Sequence, residues 1–166
     1  MKYYIVVLAA AIIVTLFSVA QGYCEPRWTE WNRHCYRYVD HKRKNWTLAS
    51  ADCTKLSPTD DGHLITIDSA DENKFASEWW ITMLKPLQGQ WQYIWTGLND
   101  IDEDGTFVWS DGSPVTYTNW GGTQTDNDNG DCVTMAVKRV SDKGQWKDIK
   151  SSEKIGYMCE YTCKDC

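Results

Sequence analysis

The most informative segment of the chain, residues 95–112, reads Trp95-Thr96-Gly97-Leu98-Asn99-Asp100-Ile101-Asp102-Glu103-Asp104-Gly105-Thr106-Phe107-Val108-Trp109-Ser110-Asp111-Gly112. Trp95–Leu98 and Thr106–Trp109 have the composition of short β-strands, and the Asp-Gly pairs that follow them are typical of turns. The segment 110–131 is then rich in Gly, Asn, Asp, Ser and Thr and has no periodicity. Loops of this length in a compact domain usually carry function. We therefore predict short strands leading into a long functional loop.

Two amphipathic helices are predicted before this stretch. From Trp46 to Leu56, apolar residues recur at three- and four-residue steps after Asn45, which is a favourable N-cap. The second helix begins with the capping-box sequence Ser69–Glu72, and Pro86 ends its pattern. The residues predicted to line one face of this helix are Phe75, Trp79 and Met83.

Further β-strands are predicted on either side of the helices. Trp28–Val39 has the pattern of a short hairpin, and Gly62–Ile67 is a strand candidate between the helices. Cys132–Val137 and Gly156–Tyr161 are two final strand candidates. Two helices combined with several short strands indicate an α+β domain.

The first 22 residues have the pattern of a secretory signal peptide. Lys2 precedes the apolar run Tyr3–Ala20, and small residues follow at the expected cleavage position. We expect a signal peptide at 1–22, one domain at 23–166, a secreted extracellular protein and no membrane insertion. The chain of 166 residues has a net charge of −6. This balance argues against nucleic acid or an anionic membrane as partner, and it is compatible with calcium.

Cysteine usage agrees with an oxidising compartment, where disulfides form and persist. The seven cysteines are Cys24, Cys35, Cys53, Cys132, Cys159, Cys163 and Cys166. Because the number is odd, one thiol is left over for another chain or stays free.

Several short segments occur in a fixed order along the chain: Trp31–Tyr36, Trp46–Cys53, Gly62–Leu64, Trp95–Leu98, Phe107–Gly112, Asn119–Trp120, Asp131–Val133, Trp146–Asp148 and Tyr157–Glu160. In this order and spacing they resemble the C-type lectin-like domains. The resemblance covers the chain from about Cys24 to Tyr161. It implies a disulfide-stabilised fold of two helices packed on small antiparallel sheets, with a long ligand-binding loop that in many members binds calcium and sugar.

The resemblance also implies two disulfides, Cys24–Cys35 and Cys53–Cys159. The inner pair of the family would join Cys132 to residue 151, but that residue is Ser151. Cys132 is then left to pair with Cys163 or Cys166, unless these two close on each other. We expect a disulfide-linked homodimer through the C-terminal cysteines.

The candidate calcium and sugar site follows from the same resemblance. Gln124-Thr125-Asp126 stands where galactose-type members have Gln-Pro-Asp, and Asp148 ends the Trp-Asn-Asp-like element. The implied carbohydrate contacts are Gln124, Asp126, Asp148 and Trp120. The implied metal ligands are Gln124, Asp126 and Asp148 at a primary site and Asp100, Asp104 and Asp131 at an auxiliary one, with Asn127 or Asp128 nearby. Carboxylate and amide oxygens are the ligands that calcium prefers.

Three departures from the family pattern leave a second interpretation open. Thr125 replaces the proline that favours a cis peptide bond, Gly130 replaces an acidic ligand, and Lys147 replaces an asparagine. Lysine has donors only and cannot coordinate a metal. The alternative is therefore a calcium-independent lectin-like domain that binds a protein or a mineral surface, rather than a carbohydrate or glycoprotein.

Catalysis is not expected. The three histidines, His34, His41 and His63, do not have zinc-protease spacing, and no Gly-x-Ser-x-Gly motif is present. Asn45-Trp46-Thr47 is a glycosylation sequon, for which simple capping of the first helix by Asn45 is the alternative.

Overall fold

The structure is a computed structural model that describes residues 24–84, 91–122, 130–137, 144–164 and 166. The helices are α1 (Trp46–Leu56) and α2 (Ala70–Met83). The strands are β1 (Thr29–Trp31), β2 (His34–Lys44), β3 (His63–Leu64), β4 (Gln92–Asn99), β5 (Val108–Trp109), β6 (Cys132–Val137), β7 (Gln145–Ile149) and β8 (Ile155–Thr162). No helix within these residues is long and apolar enough to cross a bilayer.

The strands form one connected sheet in the order β1-β2-β8-β4-β6-β7, with β3 added to β8 and β5 added to β4. The predicted α+β class and the antiparallel pairing are confirmed, with one difference. The β4 and β8 strands are parallel, and Ile94 lies opposite Gly156. A parallel pair requires a long crossover, and here more than fifty residues separate the two strands along the chain.

The first helix begins where the sequence predicts. The side chain of Asn45 accepts a hydrogen bond from the backbone N–H of Leu48 at 3.0 Å, so Asn45 is the N-cap of α1. Trp46, Ala49 and Cys53 form its buried face. Cys53 is thereby held against β8, where its disulfide partner Cys159 lies.

The second helix begins at its predicted cap but buries a different face. The hydroxyl of Ser69 accepts from the N–H of Glu72 at 3.3 Å, whereas the carboxylate of Glu72 accepts from the N–H of Asp68. Met83, predicted to line the buried face, is 54% exposed, and Trp80 takes the central core position at 0%. Apolar residues occur on several sides of α2, so spacing alone does not identify the buried face.

The strand β7 has no counterpart among the predicted strands, because Gln145–Ile149 contains only two apolar residues. Its pairing with β6 is nevertheless regular: Cys132 lies opposite Ile149 and Val133 opposite Asp148. This register carries Asp148 to the start of β6, where the long loop re-enters the sheet.

The interior is divided into two apolar clusters. One surrounds the Cys53–Cys159 disulfide and includes Trp28, Trp95 and Tyr157. The other lies under α2 and around Trp109 and Trp146, and it extends to the partly buried Trp120. Most of the large aromatic residues are thus core residues, in agreement with their ordinary role.

Candidate functional site

The central part of the predicted sugar site lies outside the described residues. Gln124 and Asp126, with Thr125, Asn127 and Asp128, belong to the segment 123–129, for which no conformation is described. Their roles therefore stay predictions. The structure describes the chain on both sides of that segment, up to Gly122 and again from Gly130.

Asp148 lies directly against the point where the chain resumes. A Cβ atom placed on Gly130 would lie 2.2 Å from Oδ1 of Asp148, well inside van der Waals contact. The carboxylate of Asp148 thus occupies the space that a side chain at residue 130 would need. Glycine at this position permits the close approach.

Asp131 connects the same region to β4 and to the loop after β7. Its backbone oxygen accepts from the N–H of Asp100 at 3.2 Å, and its N–H donates to Ile149 at 3.3 Å. Its carboxylate accepts a hydrogen bond from the hydroxyl of Ser151 at 2.9 Å. Asp131 is therefore held by three different parts of the chain.

The carboxylate of Asp100 is only half satisfied. Its Oδ2 accepts from the N–H of Gly105 at 2.9 Å, which closes the turn that also carries the exposed Asp104. Its Oδ1 is buried and has no hydrogen-bond partner among the described residues. Asp100 as a whole is 5% exposed. A buried carboxylate oxygen without a donor is costly unless a cation or a water satisfies it.

The carboxylates of Asp100, Asp131 and Asp148 all lie near the thiol of Cys132. Burial raises the pKa of Cys132, and the negative charges of Asp131, Asp148 and Asp100 raise it further. The three carboxylates therefore surround the beginning of β6. Within the described ranges, however, no three carboxylates bring their oxygens within 4.8 Å of one another. They form a loose acidic cluster, and a closed metal shell would need ligands from elsewhere.

Lys147 does not point into this cluster. Its ammonium group lies 5.1 Å from the ring centroid of Trp91, an exposed residue just before β4. Successive residues of a strand face opposite sides of the sheet, so Lys147 and Asp148 diverge. The residue expected to repel a metal is held away by a cation–π contact.

Trp120, a predicted carbohydrate contact, packs against other aromatic residues. It packs against Phe107 at a centroid distance of 5.0 Å and against Trp146 at 6.0 Å, and it forms a β-bridge with Trp146. Trp146 in turn donates from Nε1 to the side chain of Asn73 on α2 at 2.8 Å. The half-buried Trp120 is thus held by aromatic packing, and part of its surface stays exposed.

The structure resolves the cysteine pairing. Cys24–Cys35 and Cys53–Cys159 are disulfides as expected, and Cys163 pairs with Cys166. Cys132 is the free cysteine of the described residues and is fully buried. An intermolecular disulfide would therefore require the Cys163–Cys166 pair to open, and the homodimer stays a prediction.

A second polar site, away from the long loop, was not predicted. A cavity of about 290 Å³ lies between the β1–β2 hairpin, the start of α2 and the segment after β5. In its wall, His34 forms an ion pair with Glu160 at 2.6 Å, and Tyr36 donates to Glu72 at 2.6 Å. No local sequence signal identified this site, because neighbouring residues of a strand face opposite sides and a charged residue beside a core cysteine usually faces solvent.

Burial and the nearby charge of Glu160 raise the pKa of Glu72 to about 7. The hydrogen bond from His34 to Glu160 raises the pKa of the imidazole. His63, expected to be packed rather than catalytic, lies half-buried in the same wall with Nδ1 2.8 Å from the Leu64 carbonyl. The cavity wall thus brings the negative charge of Glu160 close enough to raise the pKa of Glu72.

Comparison with known proteins adds an independent observation. Residues 42–161 match the sequence model of the Lectin C-type domain. The α-N-acetylgalactosamine-specific lectin of Patiria pectinifera is 38% identical over 136 residues, which are 81% of this chain and 78% of the relative. Lectin BRA-3 of Megabalanus rosa is 30% identical over 166 residues, which are 97% of this chain and 94% of the relative.

A similar fold is found among solved structures. The C-type lectin CEL-I from Cucumaria echinata aligns with a TM-score of 0.72 at 30% identity and covers 85% of this chain and 99% of its own. A calcium-independent type II antifreeze protein aligns with a TM-score of 0.66 at 23% identity, covering 84% of this chain and 95% of its own. The second similarity concerns the fold alone.

Proposed function

Since the chain belongs to the Lectin C-type domain family, we propose that it is a secreted carbohydrate-binding protein that uses calcium and prefers galactose-type sugars. The family alone does not fix the ligand, because one fold carries many functions. The proposal therefore rests on the acidic cluster around Gly130 and Asp131 and on the adjoining tripeptide Gln124-Thr125-Asp126.

The observation that carries the proposal is the unsatisfied oxygen of Asp100. Within the described residues its Oδ1 is buried without a donor, while the backbone N–H of Asp100 donates to Asp131 and Asp148 lies against Gly130. Calcium is bound by carboxylate and carbonyl oxygens at about 2.3–2.6 Å. The donor set of this cluster consists of such oxygens and therefore fits a hard cation. Asp100, Asp104 and Asp131 would hold an auxiliary ion, and Gln124, Asp126 and Asp148 a primary one.

A bound calcium ion supplies coordination positions that two neighbouring sugar hydroxyls complete. The side chains of the chain itself decide which sugar fits. Gln124 offers an amide and Asp126 a carboxylate, so a donor precedes an acceptor along the tripeptide. This order is the one that the resemblance associates with galactose-type sugars, and the first relative named above is specific for an N-acetylated galactose derivative.

Binding rather than turnover is proposed. The relatives named above are lectins, and the described carboxylates of the acidic cluster offer oxygen ligands that suit a cation. The three disulfides of the described chain suit the oxidising compartment that the signal peptide predicted at 1–22 would give access to.

One specific observation favours the second candidate, a calcium-independent binding domain. The described carboxylates do not converge into a shell within 4.8 Å, and Lys147 supplies no coordinating oxygen. Such a domain would contact a protein or a mineral surface with the same loop. The two candidates differ in one property, namely whether calcium and sugar strengthen each other's binding.

Calorimetry of calcium binding to chelator-treated protein separates the candidates. We expect calcium binding to tighten in the presence of galactose or N-acetylgalactosamine and not in the presence of mannose. Asp148→Ala should weaken the sugar-linked binding at least about tenfold, since it removes a coordinating carboxylate. Glu30→Gln, an exposed acidic residue on β1, is the matched control and should bind as the wild type does. Ligand capture that persists unchanged in EDTA would support the calcium-independent domain.

A further inference from the structure

The two disulfides at the hairpin end of the molecule lie side by side. The sulfur atoms of Cys24, Cys35, Cys163 and Cys166 all lie within 4.8 Å of one another. Two different parts of the chain contribute them: Cys24 and Cys35 bracket β1, and Cys163 and Cys166 follow β8. The backbone N–H of Cys163 donates to the carbonyl of Arg33 at 2.8 Å, which fixes one pair beside the other.

We propose that these four sulfurs form a redox-controlled binding site for a soft divalent cation of the zinc type. In the oxidised protein they are two disulfides. After reduction by a small dithiol, the same four atoms provide a tetrathiolate site. This site is separate from the acidic cluster that carries the proposed lectin function.

The geometry agrees with a tetrahedral zinc centre. Zinc–sulfur bonds of about 2.3 Å place the four sulfurs of a tetrahedron about 3.8 Å apart. Sulfur pairs that are not bonded to each other lie within 4.8 Å, so they need to approach by about 1 Å at most to fit this tetrahedron. The spacing Cys163-Lys-Asp-Cys166 is also the two-residue spacing that many structural zinc sites use for one half of their ligands.

The four cysteines of the cluster differ in solvent exposure. Cys166 is exposed and Cys24 is half-buried, whereas Cys35 and Cys163 are buried at 0% and 5% exposure. A thiolate attacks a disulfide sulfur directly, so an external dithiol meets Cys166 first. The released Cys163 thiolate then lies within reach of the Cys24–Cys35 pair. Both disulfides are therefore reducible through one exposed atom.

The chemistry balances with two equivalents of dithiol. Each dithiol gives two electrons and two protons to one protein disulfide and becomes a cyclic disulfide itself, leaving four protein thiols in all. Binding of one divalent cation then releases up to four protons, because thiolates are the ligands. Lys164 and Asp165 lie between the two cysteines in sequence, and their opposite charges cancel.

The remaining disulfide keeps the domain folded during this change. Cys53 and Cys159 are both fully buried and lie outside the four-sulfur cluster. A dithiol that works through Cys166 does not reach them under native conditions. We therefore expect the ladder between β2 and β8 to remain in place after reduction.

The test is a titration of the full-length protein with Co²⁺ after anaerobic treatment with dithiothreitol and removal of the reductant. We expect one Co²⁺ per chain, with the sulfur-to-metal charge-transfer absorption of a four-thiolate site and displacement by Zn²⁺. The oxidised protein should show no such absorption. The double variant Cys163→Ser/Cys166→Ser retains only two sulfurs of the cluster and should bind at least about 100-fold more weakly. Equal binding by wild type and double variant would overturn the proposal.

Two further measurements test whether Co²⁺ binds at these four sulfurs of a folded protein. Cys132→Ala removes the free buried thiol and should bind Co²⁺ as the wild type does. Loss of Co²⁺ binding in this variant would show that Cys132 is a ligand and would contradict the proposed four-sulfur site. Circular dichroism then follows the fold. Zn²⁺ should raise the melting temperature of the reduced wild type and leave that of the double variant unchanged. A reduced wild type that unfolds and is not refolded by Zn²⁺ would contradict a preformed site.

Discussion

The carboxylate of Asp148 fills the space beside the backbone of Gly130, so closely that a Cβ atom at residue 130 would lie 2.2 Å from Oδ1. The family pattern expects an acidic side chain at residue 130, and the sequence has glycine there. The two positions are thus coupled, because a side chain at residue 130 displaces Asp148.

Gly130→Ala tests this coupling. The added methyl group should push the carboxylate of Asp148 out of its position and weaken calcium binding about three- to tenfold, with a stability loss of about 1 kcal/mol. Calorimetry and urea unfolding measure the two effects. Gly122→Ala is unsuitable as a control because Gly122 has φ +68°, so Ser152→Ala, at an exposed position after β7, serves instead. Unchanged calcium affinity in Gly130→Ala would show that Asp148 is not a ligand.

Lys147→Asn should raise calcium affinity. The substitution removes a positive charge near the acidic cluster, and the shorter side chain, released from Trp91, becomes free to turn its amide oxygen toward the cluster as the Trp-Asn-Asp pattern expects. It also removes the contact with Trp91, at a cost of about 0.5–1 kcal/mol of stability. Lys150→Asn removes a charge of the same sign from an exposed neighbouring position and is the control. If both variants gain affinity equally, net charge rather than coordination is the cause.

Ser151→Cys should create a disulfide with Cys132. Ser151 contacts Asp131, the neighbour of Cys132, through a hydrogen bond of 2.9 Å. Closing a loop of this size by a disulfide stabilises a protein by about 3 kcal/mol. Thiol titration in denaturant should find no free cysteine in the variant and one in the wild type. Two free thiols in the variant would mean that the backbones are too far apart.

The stability of the protein should fall as pH rises from about 4.5 to 7. The folded-state pKa of Glu72 is raised from 4.5 to about 7 by burial and by the charge of Glu160. A group whose pKa is raised on folding binds its proton more tightly in the folded state, so its contribution is complete below 4.5 and is lost as pH passes 7. The hydrogen bonds that Glu72 accepts from Tyr36 and from the N–H of Asp68 partly oppose this rise, and the raised pKa of His34 extends the decline above 6.5. Tyr36 stays protonated throughout, because burial raises its pKa.

Glu72→Gln isolates this effect. We expect urea unfolding to show a decline of up to about 3 kcal/mol for the wild type across this range and a flatter profile for the variant. Asp71→Asn, on the exposed side of the same helix turn, should shift the whole profile without flattening it. Parallel profiles for wild type and Glu72→Gln would rule out Glu72 as the titrating group.

Capping and glycosylation at Asn45 are separable. The cap uses the side-chain oxygen of Asn45, whereas a glycan would be attached to the nitrogen. Thr47→Ala removes the sequon, so treatment with a glycosidase should no longer change the mass of the protein. The melting temperature of this variant should equal that of the enzymatically deglycosylated wild type. Asn45→Ala should lose both the mass shift and about 1 kcal/mol of stability. If the wild type secreted by animal cells shows no mass shift, Asn45 is a cap only.

The sequence predicts the helix caps and most strands because these depend on local signals. Asn45 and Ser69 are caps for reasons contained within four residues, and Cys132–Val137 is a strand by composition. The strand β7, the buried face of α2 and the stacking of Lys147 on Trp91 depend on partners far away along the chain. The pairing of Cys163 with Cys166 also depended on three-dimensional proximity, since spacing left it open.

Because residue 151 is serine where the family pattern has cysteine, the disulfides are unevenly distributed over the molecule. The hairpin end carries two adjoining disulfides, whereas β6 and β7, which position Asp148, are connected by hydrogen bonds and packing alone within the described residues. A change in the thiol balance of the surrounding fluid would therefore alter the hairpin end and leave the ligand-binding end untouched. If calcium binds as proposed, its removal would act first at the end that carries Asp148. The two ends of this small domain would thus respond to different signals.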